Sequence, residues 1–166
     1  MRKLFLLLVL LVFGSRNSFA QMFSVTELTR LNSMNFDQFH NYVAAKGYKI
    51  YEVNDEDYSK SRSYSYGQRR KNIYASRVII KYYNSKTKRQ TLSFQTLTSG
   101  DYLNIKGQLN QLNFKLADTR KSNKGTVFLI YEKASNSISL ATNQEYNARG
   151  EKITYYQIKV SSYQKL

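Results

Sequence analysis

The chain has 166 residues, with 26 Lys and Arg against 11 Asp and Glu, one His, 15 Tyr, and neither Cys nor Pro. Without cysteine there is no disulfide, thiolate metal ligand or thiol nucleophile, so stability must come from packing. The formal net charge of +15 favours anionic partners and speeds their encounter, while saying nothing about the fold.

Residues 1–20 read as a secretory signal. Arg2 and Lys3 form a charged start, Leu4 to Phe13 is an unbroken apolar run, and Ser18-Phe19-Ala20 puts small residues where a signal peptidase cuts. The run is about ten residues, half of the roughly 20 that span a bilayer. A mature chain starting at Gln21 retains 23 basic and 11 acidic residues, a net charge of +12. Its length suits one compact domain.

Val25, Leu28 and Leu31 have helical spacing and predict a short helix or packed arm over 24–33. Asn35 with Gln38 three residues on reads as a capping box, opening a helix whose buried stripe is Phe36, Phe39 and Val43. Gly47 ends this helix, and Tyr48 to Val53 alternates as a strand. The whole pattern returns 66 residues later. Phe36, Phe39, Val43, Gly47, Tyr48 and Ile50 correspond to Tyr102, Ile105, Leu109, Asn113, Phe114 and Leu116. Gly and Asn are the residues that most easily accept positive φ, so their equivalence carries particular weight. The expected organisation is therefore α+β, with two tandem helix-then-antiparallel-strand units at 21–99 and 100–166 forming one mature domain.

His40, the single histidine, has two readings: a general base oriented by Asp37, or an ordinary surface helix residue. Asn54-Asp55-Glu56-Asp57 holds part of a calcium-loop pattern but lacks its glycine, and reads as a solvated turn. Neither a cofactor nor a metal is expected.

No acidic residue occurs from Tyr58 to Gly100, whereas Lys60 to Arg89 contains ten cations interleaved with tyrosines. Residues 59–68 read as a mobile polar loop. Ile73 to Tyr83 and Gln90 to Thr98 read as a hairpin with a basic outer face, turning at 84–87. The predicted partner-binding set is Arg62, Tyr64, Tyr66, Arg69, Arg70, Lys71, Tyr74, Arg77, Lys81, Tyr83, Lys86, Lys88 and Arg89. Cations beside aromatic rings suit anionic surfaces. The export signal turns the expectation away from nucleic acid and towards acidic proteins or envelope polymers.

Ser99-Gly100-Asp101 is expected to cap a second helix, 102–112. Strands are expected at 114–119, 126–133, 137–142 and 153–161, the last closing a sheet edge. No nucleophile elbow, phosphate-cradling loop or zinc-helix motif occurs.

Two exported helix-plus-sheet repeats resemble the β-lactamase-inhibitor-like fold and small periplasmic assembly proteins, although cysteine staples and anchors are missing here. The resemblance implies a sheet surface that binds another protein. The leading expectation is thus an exported, non-enzymatic protein of the periplasm or cell surface that engages an acidic partner, as inhibitors, immunity proteins or assembly factors do. The alternatives are a binder of anionic glycan or lipid headgroups, and a hydrolase built on His40.

Overall fold

The computed structural model describes residues 22–67, 75–123, 125–146 and 150–162. Helices α1 (Val25–Ser33), α2 (Phe36–Ala45) and α3 (Ser99–Gln111) cover one face of an eight-stranded antiparallel sheet. The strands are β1 (Lys49–Glu56), β2 (Ser59–Tyr66), β3 (Arg77–Asn84), β4 (Arg89–Thr96), β5 (Lys115–Lys121), β6 (Val127–Lys133), β7 (Asn136–Tyr146) and β8 (Lys152–Ser162). Their spatial order is β1-β2-β3-β4-β8-β7-β6-β5. Each unit is a helix followed by a four-strand meander, and the two meanders join through their last strands. No helix among the described residues is long and apolar enough to cross a membrane.

The 66-residue repeat is visible in the hydrogen bonds. Tyr48 N–H donates to Val43 O and Phe114 N–H to Leu109 O; Gly47 N–H donates to Ala44 O and Asn113 N–H to Asn110 O. Gly47 and Asn113 have φ of +82° and +59°, so both helices end through a left-handed residue. The following strands break register at the same place, between Ile50 and Glu52 in β1 and between Leu116 and Asp118 in β5. These bulges bend and twist the two outermost strands, which discourages edge-to-edge association.

One continuous row crosses the helix-covered face: Tyr64, Ile79, Phe94, Ile158, Leu140 and Leu129, neighbours on successive strands. The first five are fully buried. Against this row pack Phe39 and Val43 of α2, Ile105 and Leu109 of α3, and Phe23, Val25, Leu28 and Leu31 in and beside α1. Phe36 is only half buried. Helix α1 has no counterpart in the repeat and lies over β4 and β8, across the seam between units.

Four local expectations are revised. Residues 59–66 form β2 rather than a mobile loop: serines at 59, 61, 63 and 65 alternate with Lys60, Arg62, Tyr64 and Tyr66, and this period of two serves a sheet despite its polar composition. Strand β8 is central, not an edge, because Ile158 and Val160 fill the gap between Phe94 and Leu92 of β4 and Leu140 and Ile138 of β7. Asp101 does not cap α3; Thr98 occupies the cap position, and the Asp101 carboxylate accepts from Arg77 and Thr96. The acidic stretch 54–57 mostly belongs to β1, with only Asp57 and Tyr58 in the turn.

Two polar ties hold α1. Lys81, 1% exposed, donates from Nζ to Leu31 O (3.0 Å) and Asn32 O (2.7 Å), satisfying carbonyls that the helix end leaves open. Burial lowers its pKa to about 8, so it remains protonated at neutral pH. At the other end Ser24 and Glu27 form a capping box, and Glu27 accepts from Tyr42 Oη (2.6 Å) and pairs with Lys46 (2.9 Å). Burial alone would raise the Glu27 pKa, but the bonds from Tyr42 and Ser24 and the Lys46 charge bring it down to about 2.

Lys81→Ala should lower the unfolding free energy by about 2–4 kcal/mol, through a cavity and two unsatisfied carbonyls, as read from urea midpoints. Glu27 has a folded pKa below its unfolded value, so its contribution is complete above pH 4.5 and fades as pH falls towards 2. Wild type should lose about 1–2 kcal/mol more than Glu27→Gln across that window, after allowing for partial solvent screening.

Candidate functional site

Sheet alternation splits the sequence-predicted cations between two faces. Arg77 and Lys81 share the helix-covered face with Ile79, so the hairpin's outer face carries Val78, Ile80 and Tyr82 instead. Alternation defines two faces but does not say which one is covered. Arg77 makes a two-pronged pair with Asp101, Nε to Oδ2 at 2.7 Å and Nη2 to Oδ1 at 3.2 Å, and Asp101 is only 3% exposed. Its bond to Asp101 raises the Arg77 pKa further. This pair ties β3 of the first unit to the first turn of α3 in the second.

Other predicted residues also serve the scaffold. Tyr64 is buried edge-on against Phe39, with its hydroxyl 2.9 Å from His40 Nδ1. The His40 ring thus meets a core tyrosine. Tyr66 packs on Tyr48, with ring centroids 5.5 Å apart. Arg62 reaches Asp55 with both terminal nitrogens (2.8 and 2.9 Å) and lies 5.3 Å from the Phe36 ring. Tyr83 is half buried on the helix-covered face of β3. Lys86 and Lys88 are exposed in the β3–β4 turn, Lys86 lying 3.7 Å from the Tyr58 ring centre and Lys88 adopting φ of +50°. Arg69, Arg70, Lys71 and Tyr74 lie outside the described residues.

Among the described residues, Arg89 is the predicted strand cation that the fold turns towards the open face of the sheet. The row crossing this face runs Ser63, Ile80, Ser93, Lys159, Ser139, Ile130 and Asp118 on successive strands. Short serines between longer side chains leave hollows. Two adjoining hollows, of about 280 and 330 Å³, share Arg89 and Lys159 as their common wall. The first extends to Arg120 and Phe128 on the second unit, and the second to Tyr82 on the first. Arg120 bonds Asp118 through Nε at 2.6 Å, and Arg89 approaches Ser161 Oγ at 3.5 Å. The Arg120 bond and nearby charge lower the Asp118 pKa, so this carboxylate stays ionised beside it.

Lys159, Arg120 and Phe128 were missed because they lie outside the basic run, on strands of ordinary composition. The signal available was parity: each lies opposite an apolar or small residue of its neighbour on the uncovered face. No group of three or more His, Cys, Asp or Glu among the described residues is arranged to hold a metal ion.

No family model, curated protein or solved structure matches the chain. Function is therefore argued from this face.

Arg77→Ala should lower stability by about 3 kcal/mol, because it strands the buried Asp101 carboxylate. Lys86→Ala should stay within about 0.5 kcal/mol of wild type in the same urea titration.

Proposed function

We propose that this chain is an exported binding protein whose open sheet face engages an acidic surface on a partner protein. The observation that carries the reading is the asymmetry of the sheet: three helices cover one face, while the other keeps hollows where Arg89, Lys159 and Arg120 stand beside Tyr82 and Phe128. Aromatic rings and arginine are the side chains that contribute most at protein interfaces, and serine floors admit protruding side chains. The net charge of +12 on a chain lacking residues 1–20 would speed encounter with an acidic partner. The residues proposed here differ from the set read in the sequence, because Arg62, Tyr64, Arg77 and Lys81 bond or pack within the fold.

Affinity purification of the tagged protein from its native cells, washed at low and high salt, tests this reading. The expected result is a stoichiometric acidic protein that survives high salt and is lost from a Lys159→Glu/Arg120→Glu variant of unchanged circular dichroism. Recovery of only a polyanionic polymer, released as salt rises, would overturn it in favour of glycan or headgroup binding. The intact mass of the recovered protein should correspond to a chain starting at Gln21.

A further inference from the structure

A cleft separate from the open sheet face lies on the helix-covered side. It occupies about 530 Å³ between α1, the end of α3 and the β6–β7 turn, within the size range of small-molecule sites. Its walls differ in chemistry. Val25, Leu112 and Phe114 make an apolar side, while Arg30 and Lys133 bring positive charge to the same opening. Lys133 Nζ is held at Leu112 O (2.8 Å), and the Arg30 guanidinium lies 4.8 Å from the Tyr42 ring centre, so both cations are positioned.

Asn32 lines this cleft and is 1% exposed. Its Nδ2 donates to Ser162 Oγ at 3.0 Å, and Ser162 lines the cleft beside it. Asn32 Oδ1, by contrast, has no hydrogen-bond partner. A buried carbonyl oxygen without a donor is unfavourable, and a water, an ion or a ligand donor would complete its bonding.

We propose that this cleft binds a small carboxylate that has an apolar body and a neutral hydrogen-bond donor. The apolar body lies against Leu112 and Phe114, the carboxylate meets Arg30 and Lys133, and a hydroxyl or amide N–H donates to Asn32 Oδ1. An N-acylated apolar amino acid, equivalent to a peptide's C-terminal residue, carries all three groups. The cleft is independent of the open-face reading, since none of its lining residues borders the open-face hollows.

The test is NMR titration of the folded chain with N-acetylphenylalanine and, in parallel, N-acetylphenylalaninamide, which lacks the charge. Ligands of this size support a dissociation constant of about 1 mM. The expected result is saturable shifts at Thr29, Asn32 and Asn136, with the amide at least about tenfold weaker and Arg30→Gln/Lys133→Gln reducing the acid to the level of the amide. Thr29→Trp, which narrows the cleft from the surface of α1, should abolish the shifts while leaving the rest of the spectrum in place. Equal binding of acid and amide, shifts elsewhere on the surface, or no saturable shift up to 20 mM, about twentyfold above that constant, would overturn the assignment.

Discussion

The pairing of β4 with β8 is the constraint on which the rest of the molecule depends. Each meander ends in a strand whose outer edge needs hydrogen-bond partners, and each edge supplies the other's. The side chains at this seam decide which face is covered: Leu92 lies opposite Val160 and Phe94 opposite Ile158, and all four are buried. Helix α1 lies over the seam, bringing Leu28 and Leu31 into the same core. A unit of about 70 residues has a marginal core by itself, so sharing one across the seam is the economical arrangement.

That arrangement fixes the use of the positive charge. A basic chain folding around an apolar layer must place some cations beneath its helices, where each needs an acceptor. Arg77 finds Asp101, and Lys81 finds the last carbonyls of α1. Both bonds connect elements far apart in sequence, so these cations set the positions of helices against the sheet. The cations that line the open face come from elsewhere: Arg89 and Lys159 at the seam, and Arg120, paired with Asp118, near one edge.

The bulges in β1 and β5 restrict where partners dock. Ile50 and Leu116 are exposed beside them, yet the register breaks make either edge a poor template for an added strand. The hollows of the broad open face and the cleft beside α1 are lined by other residues. They differ in kind. The open face is wide, shallow and suited to protruding side chains, whereas the cleft combines an apolar wall, two cations and the orphaned Asn32 carbonyl in a space of small-molecule size.

The repeat was legible in the sequence because it rests on local physics. The helix cap at Asn35, left-handed stops at Gly47 and Asn113, and apolar spacing along α2 and α3 are all set by residues within a turn or two of each other. Strand β2 was concealed because its alternation is between serine and long polar or aromatic residues, so period and composition gave opposite signals. Which face of each strand is covered could not be read locally: the helices that cover it come from residues 25–45 and 99–111, and the choice is made when β4 and β8 meet. That single tertiary event turned Arg77 and Lys81 inward, brought Lys159 beside Arg89, and made the last strand the centre of the sheet. The sequence alone determined the units and their ends, whereas tertiary structure decided their joining and thereby the surface left open, because burial is a property of neighbours rather than of spacing.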